Sequence, residues 1–117
     1  NNPFGDEFGY SRAVRVGNHI HVAGTVAQPP HDQGDAYTQA KGALGIIEKA
    51  LGEADASLSD VVRTVVYITD PAHAEGITRA HGETFGEIKP ASTLVAITAL
   101  LKPHLVVEIE AYAILPE

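Results

Sequence analysis

The chain has 117 residues, 44% of them hydrophobic and 20% charged, which is typical of one globular domain with one core. Eight basic residues against fifteen acidic ones give a net charge of −7, and this balance argues against nucleic-acid binding, which needs clustered lysine and arginine. Without cysteine, neither a disulfide framework nor a thiolate metal site can form. No apolar run has the length of a membrane span, and no signal-peptide pattern opens the chain. We therefore expect a single cytoplasmic domain over residues 1–117, with a leader removed before Asn1 left open.

The first half of the chain predicts an arm, a hairpin and a helix. Residues 1–9 have no hydrophobic period, which predicts an irregular arm. Strands are expected over residues 11–16 and 19–26, because Gly17-Asn18 between them is a two-residue hairpin signal. After a loop rich in Pro, Asp and Gly, Asp35 is a suitable N-cap for an amphipathic helix. The apolar face of that helix is mostly small residues, which permits close packing onto a sheet.

The second half predicts a strand, a helix and two final strands. Residues 61–69 are rich in β-branched residues, which is typical of a strand. A second helix is expected to begin at Asp70-Pro71, because proline is favoured in the first turn, and to end at Gly86. Residues 89–95 and 106–111 place apolar side chains at every second position and predict the last two strands. The element order is β-β-α-β-α-β-β.

Alternation along these strands predicts two unlike faces of one sheet. Two helices can cover only one face, and the more apolar set is expected there: Val14, Val16, Ile20, Val22, Val66, Ile68, Val95, Ile97, Val107 and Ile109. The opposite face is expected to carry a mixed set: Ala13, His19, His21, Thr25, Val65, Tyr67, Ser92, Leu94, Glu108 and Tyr112. That set is too apolar for open water and too polar for a core, and such a surface usually meets a partner. We expect a homo-oligomer with pockets at its interfaces.

The last two strands carry the candidate chemistry. If they are neighbours, Glu108 and Tyr112 share a sheet face with Ser92 and Leu94. A carboxylate, hydroxyl groups and small apolar groups on one face suit a small-molecule pocket. A carboxylate in an apolar cleft can have a raised pKa and act as a base near neutral pH. The alternative is that Glu108 is a polar residue at an oligomer interface.

Five blocks of the chain, in order, resemble the RidA/YjgF family of reactive-intermediate deaminases. They are Tyr10-Ser11-Arg12-Ala13-Val14, residues 17–24, residues 52–62, Pro90-Ala91-Ser92-Thr93-Leu94-Val95 and Val107-Glu108-Ile109-Glu110-Ala111. The resemblance covers residues 10–114. It implies a chorismate-mutase-like α+β fold, with a mixed sheet and two helices on one face. It also implies a homotrimer around a central barrel, three small-molecule clefts between subunits, and cofactor-free hydrolysis of an imine or enamine.

The resemblance assigns roles to five positions. Glu108 matches the family's cleft glutamate, which holds or activates water. Tyr10 matches a tyrosine whose hydroxyl reaches the cleft, and Gly24 matches a glycine whose backbone approaches the ligand. Ser92 stands where deaminating members carry an arginine that clamps a carboxylate, and Leu94 is expected to line the same cleft. A serine cannot supply a charged bidentate fork, so the usual imine hydrolysis is only weakly implied. Lys89, Arg63 and Arg79 are the candidates to replace that arginine.

Two other functions stay open. A non-catalytic small-molecule-binding protein on the same scaffold is favoured by the missing arginine. An endoribonuclease activity is attached to the family name, but the charge of −7 and the lack of a basic stripe argue against it.

Metal binding is not predicted. His19 and His21 share a strand face, but no third ligand is evident. His81-Gly82-Glu83 lacks the Pro-Cys-x-x-Cys segment that zinc deaminases require. His81 is expected to serve in helix packing, and the alternative is that it faces the cleft from the second helix.

Overall fold

One five-stranded sheet organises the computed structural model of the protein, which describes residues 3–117. The strands, in chain order, are β1 (Ala13–Val16), β2 (His19–Thr25), β3 (Val61–Ile68), β4 (Ala91–Ala96) and β5 (Val107–Ile114). The α-helices are α1 (Pro3–Phe8), α2 (Ala36–Glu53) and α3 (Ala74–Phe85). Among the described residues, no helix combines the length and the apolar character that a membrane crossing needs.

The strands lie in the order β1-β2-β5-β3-β4. β1 and β2 form the predicted hairpin, whose turn contains Gly17 at a φ of 61°, a left-handed conformation that glycine adopts without steric cost. β3 and β4 are parallel and are connected through α3, whereas the other neighbouring pairs are antiparallel. Because β3 lies between them, β4 and β5 are not neighbours.

α2 and α3 pack side by side on one face of the sheet. α2 lies against β2 and β5, and α3 contacts both α2 and, through His81, β3. α2 begins as predicted at Asp35, whose carboxylate accepts a hydrogen bond of 2.9 Å from the Thr38 amide. The core beneath the helices includes the following buried residues: Ile20, Val22, Leu44, Ile47, Leu51, Val66, Ile68, Ile77, Phe85, Val107 and Ile109. The predicted α+β class with two helices on one face is confirmed.

The side chains of β1 lie on the faces opposite to those predicted. Val14 pairs with His21 and Val16 with His19, so both valines are on the open face, where they are 49% and 68% exposed. Ala13 lies on the covered face and packs against the core. The hairpin register decides this arrangement, because a turn fixes which residues oppose each other regardless of their hydrophobicity.

The side chains of β4 also lie on the faces opposite to those predicted. Leu94 pairs with Val66 on the helix side, and Val95 pairs with Tyr67 on the open face. The pattern was misleading because β4 is an edge strand, and Leu94 and Val95 are similarly exposed, at 43% and 39%. An edge strand with both faces in contact with solvent gives no burial signal from which the phase can be determined. Ile97 lies beyond the end of β4.

A bulge in β2 corrects a third assignment. The register between β2 and β5 shifts between Val22 and Thr25, and the extra residue turns Thr25 toward the helices. Thr25 is 1% exposed there, whereas it was predicted on the open face. Bulges of this kind re-aim side chains and are common next to functional sites.

α1 replaces most of the predicted irregular arm. The helix ends at Gly9, which has a φ of 87° and donates its N–H to the Gly5 carbonyl at 2.8 Å. A helix of six residues is too short to show a hydrophobic period, which is why the pattern did not predict it. Proline at its first position is the one sequence signal for its start. Asn1 and Asn2, which were part of the predicted arm, lie outside the described residues.

Candidate functional site

A groove of about 520 Å³ runs along the open face beside the β1–β2 hairpin. The connection before β1 and the open-face side chains of four strands line it, among them Tyr10, Val14, His21, Gly24, Arg63 and Glu110. This volume falls in the range of small-molecule sites. Two of the predicted site residues, Tyr10 and Gly24, are therefore brought together at one groove.

Glu108 lies next to this groove, against the bulge of β2. A Cβ atom added to Gly24 would collide with Oε2 of Glu108 and would lie 3.0 Å from its Cδ. With glycine at this position the carboxylate packs directly on the backbone, and any larger residue would make the Glu108 side chain shift. Within the chain, the group that approaches Gly24 is the Glu108 side chain, and the predicted approach of a ligand stays a prediction.

The surroundings of Glu108 favour its protonated form. Burial raises the pKa of Glu108 above its usual range, the neighbouring Glu110 adds to the rise, and Arg12 opposes it. Among residues 5–117, no group donates a hydrogen bond to the Glu108 carboxylate. Glu110, in contrast, accepts a hydrogen bond of 2.8 Å from the Tyr67 hydroxyl. Glu108 is therefore the carboxylate of the pair whose pKa is raised and which accepts no hydrogen bond from residues 5–117.

Arg12 is a site residue that the sequence analysis missed. Its Nη1 donates to the Gly24 carbonyl at 3.0 Å and to Thr25 Oγ1 at 2.8 Å, and its Nη2 donates to the Tyr10 hydroxyl at 3.0 Å. The guanidinium thereby joins Tyr10 to the bulge on which Glu108 packs. The available signal was its place between Tyr10 and β1 in the first block that resembles the family.

Of the three cations considered as replacements for the family arginine, one lies at the groove and two do not line it. Arg63 lines the groove and donates to Thr93 Oγ1 at 2.9 Å. Arg79 stacks over the Tyr37 ring at 3.8 Å. Lys89 is exposed in the turn before β4, with a φ of 55°. Within the described chain, none of the three forms a hydrogen bond or an ion pair with Glu108.

Ser92 and Leu94 lie on the opposite face of the sheet from Glu108. Ser92 Oγ is 2.7 Å from Thr64 Oγ1, which is 2.9 Å from Nε2 of His81 on α3. The prediction that Ser92 and Leu94 share a sheet face with Glu108 is wrong, because the phase of β4 is reversed. His81 contacts Thr64 of β3 and the Phe85 ring of its own helix, so it packs between α3 and the sheet and does not line the groove.

His19 and His21 share the open face as predicted, and both contact Tyr112. The Tyr112 hydroxyl hydrogen-bonds with Nδ1 of His19, and its ring centroid is 4.5 Å from that of His21. In the part of the chain that the structure describes, no three metal-binding side chains come together. The two imidazoles are oriented by Tyr112.

Comparisons with known proteins place this geometry in a family. The family model described as Endoribonuclease L-PSP matches residues 4–115. Over 108 residues the chain is 40% identical to a RutC family protein of Pyrococcus abyssi, covering 89% of this chain and 84% of that protein. Over 115 residues it is 33% identical to an uncharacterised protein of Streptomyces coelicolor, covering 94% and 86%.

Solved structures give the same result. The chain is similar to a member of the YjgF/YER057c/UK114 family from Mycobacterium tuberculosis, with 43% identity, a TM-score of 0.92 and coverage of 98% of this chain and 94% of that one. It is also similar to RidA from the Antarctic bacterium Psychrobacter sp., with 31% identity, a TM-score of 0.83 and coverage of 91% and 88%. The likeness extends over whole chains rather than single motifs. The chain belongs to the Endoribonuclease L-PSP family, the RidA/YjgF family that its five sequence blocks resemble.

Proposed function

We propose that the protein is a cofactor-free enzyme that hydrolyses a small imine, enamine or related carbonyl compound, with Glu108 as its general base. The observation that carries the proposal is the state of Glu108. It is a half-buried carboxylate with a raised pKa, packed on Gly24, beside a groove of small-molecule size. A desolvated carboxylate next to an open groove is the arrangement that general-base chemistry near neutral pH requires.

The residues of the site divide the work of hydrolysis. Glu108 takes a proton from water, and the water oxygen forms a bond to the carbon of the C=N group. The nitrogen gains protons and leaves as the amine or ammonia, and the carbon keeps the oxygen as a carbonyl. The Tyr10 hydroxyl and the backbone at Gly24 hold the substrate. Arg12 keeps Tyr10 and the bulge in place through its hydrogen bonds.

We further propose that the site is completed by a second copy in a homotrimer. The open face exposes apolar side chains that a monomer would leave in water, namely Val14, Val16, Val95 and Ile114. Ser92 and Leu94 are exposed on the edge strand β4, so an edge packed against the open face of the next copy would bring them to the Glu108 of that copy. This assembly restores the predicted substrate-binding set from two chains.

Exchanging the Glu108 carboxylate for an amide tests the proposal. With small imines generated in situ, the wild-type protein should release ammonia, and Glu108→Gln should lower the rate roughly a hundredfold or more while preserving shape. Glu48→Gln is the control, because it makes the same exchange at an exposed position of α2 outside the groove, and it should keep the activity. An active, normally folded Glu108→Gln protein would contradict the mechanism.

The alternative is a non-catalytic binding protein on the same scaffold. Ser92 supports it, because a serine cannot clamp a substrate carboxylate as an arginine does. In that case the wild-type protein would release no ammonia from any imine in the panel, and Glu108→Gln would change ligand affinity or stability instead. An endoribonuclease must bind RNA, which is a polyanion. The net charge of −7 of this chain opposes such binding.

A further inference from the structure

Two carboxylates share the open face of β5. Glu108 and Glu110 are two residues apart on one strand, so their side chains point to the same side of the sheet. Both are half-buried, but their contacts differ, because Glu108 packs on Gly24 and Glu110 lines the groove. Since the two side chains are chemically identical, their surroundings decide which of them holds a proton.

Tyr67 on β3 contacts one member of this pair through its hydroxyl. The register places Glu108 directly opposite Tyr67, and Val65 opposite Glu110, so Glu110 is the diagonal neighbour of Tyr67. A diagonal separation of about 7–8 Å is within the reach of an aromatic side chain, and the Tyr67 hydroxyl donates to Oε2 of Glu110 at 2.8 Å. A phenol has a single proton to donate. Tyr67 therefore bonds Glu110 and leaves Glu108, its direct cross-strand neighbour, without that donor.

This hydrogen bond makes the two carboxylates unequal. A hydrogen bond donated to a carboxylate favours the ionised form, so Tyr67 stabilises the negative charge on Glu110. Burial is the main cause that raises the pKa of Glu108, and the charge of Glu110 adds to the rise. When two carboxylates interact, the proton lies on the one whose charged form is less stabilised. In this pair that carboxylate is Glu108.

The Tyr67 hydroxyl remains a donor at neutral pH. Its hydrogen bond to Glu110 and its burial raise the pKa of Tyr67 above the ordinary value of a phenol, so the proton stays on the oxygen. The titratable and charged side chains around the pair come from four parts of the chain: Arg12 before β1, His21 on β2, Arg63 and Tyr67 on β3, and Tyr112 on β5.

We propose that Tyr67 is a positioning residue of the site: by binding Glu110 and holding it ionised, it makes Glu108 the proton acceptor of the pair. Tyr67 does not touch the reacting atoms and acts through Glu110. The functional meaning rests on the hydrolysis proposed above, in which a base is most effective when it titrates near the working pH. The arrangement itself can be measured without a substrate.

Removing one oxygen atom from Tyr67 tests the proposal. In Tyr67→Phe, part of the proton should pass from Glu108 to Glu110, and the titration midpoint of a ¹³C-labelled Glu108 carboxyl should move to lower pH in NMR spectra. Tyr37→Phe is the matched control, because the Tyr37 hydroxyl donates to Glu83 at 2.5 Å on the helix layer. It loses a bond of the same kind and should leave the Glu108 midpoint unchanged. An unchanged or higher midpoint in Tyr67→Phe would overturn the proposal.

A double variant shows whether Tyr67 acts through Glu110. Glu110→Gln removes a charge that raises the pKa of Glu108, so it should also lower the Glu108 midpoint. Adding Tyr67→Phe to Glu110→Gln should then produce no further shift, because the pair of changes affects one pathway. A further shift as large as that of Tyr67→Phe alone would refute a role through Glu110.

The titration separates this inference from the proposed hydrolysis. If the wild-type protein hydrolyses no imine, a lowered Glu108 midpoint in Tyr67→Phe still supports the role of Tyr67. If the wild-type protein is active, the acid limb of the pH–rate profile of Tyr67→Phe should move to lower pH together with the midpoint. An active Tyr67→Phe protein whose acid limb and midpoint both match the wild type would contradict the role of Tyr67 and leave the hydrolysis intact.

Discussion

Gly24 contacts the side chains of both Arg12 and Glu108. Its carbonyl accepts a hydrogen bond from Arg12, and the space where a Cβ would lie is filled by the Glu108 carboxylate. The cation and the carboxylate thus lie on the same glycine, and Arg12 favours the ionised form of Glu108 while burial opposes it. The balance between these two effects determines the pH at which Glu108 ionises.

Replacing Arg12 tests this balance. Arg12→Gln should raise the pKa of Glu108 further, because burial and Glu110 would then act without an opposing cation. The pH below which Glu108 is protonated, and with it the acid limb of any activity, should move upward. The measurement is a ¹³C NMR titration of the labelled Glu108 carboxyl.

Arg15→Gln is the matched control for that titration. Arg15 also hydrogen-bonds backbone carbonyls, those of Gly17 and Ala54 at 2.8 and 2.7 Å, but it does not contribute to the pKa shift of Glu108. Its replacement should leave the Glu108 titration unchanged. Identical titrations in Arg12→Gln and in the wild-type protein would show that Arg12 does not control the carboxylate.

At the scale of elements, α2 packs against the central strands β2 and β5. Its buried face alternates small and branched residues, and Ile47 is 0% exposed beneath it. The adjacent Ile46 is only partly buried. Two neighbouring isoleucines of one helix therefore differ in how much of each side chain is buried.

Truncating each isoleucine measures that difference. Ile47→Ala should lower the free energy of unfolding by about 2–5 kcal/mol, because it leaves a cavity in the core. Ile46→Ala should cost about 1 kcal/mol or less, since much of its surface is already in water. Urea unfolding of both variants gives the comparison, and equal losses would contradict the packing of α2 described above.

The sequence predicted the positions of the helices and strands better than it predicted which side chains face the helices. Alternation and turn signals placed the hairpin at Gly17, the cap at Asp35 and the strand over β3, because each depends on local chemistry. The faces of β1 and β4 depend on hairpin register and on a position at the sheet edge, neither of which leaves a mark in hydrophobicity. The same limit applies to the site: motif resemblance indicated Glu108 and Gly24, but only the bulge of β2 reveals that Arg12 joins them.

At the scale of the whole molecule, the sheet has one covered and one open face. The open face holds the groove, the exposed valines of β1 and the His19, His21 and Tyr112 cluster. Exposed apolar side chains on one face are a common feature of surfaces that meet a partner. The homotrimer proposed above would bury the open face and place β4 of one copy against the site of the next.

A charge placed on the open face tests the assembly. The wild-type protein should scatter light as a particle of three times the 12.3 kDa of one chain. Val14→Lys should reduce that mass toward a single chain, because an interface would bury the ammonium group without a partner. Leu101→Lys is the control, since Leu101 is 88% exposed in the segment between β4 and β5, and its replacement should leave the mass unchanged. A wild-type monomer at micromolar concentration, or a Val14→Lys protein of unaltered mass, would show that the open face has another purpose.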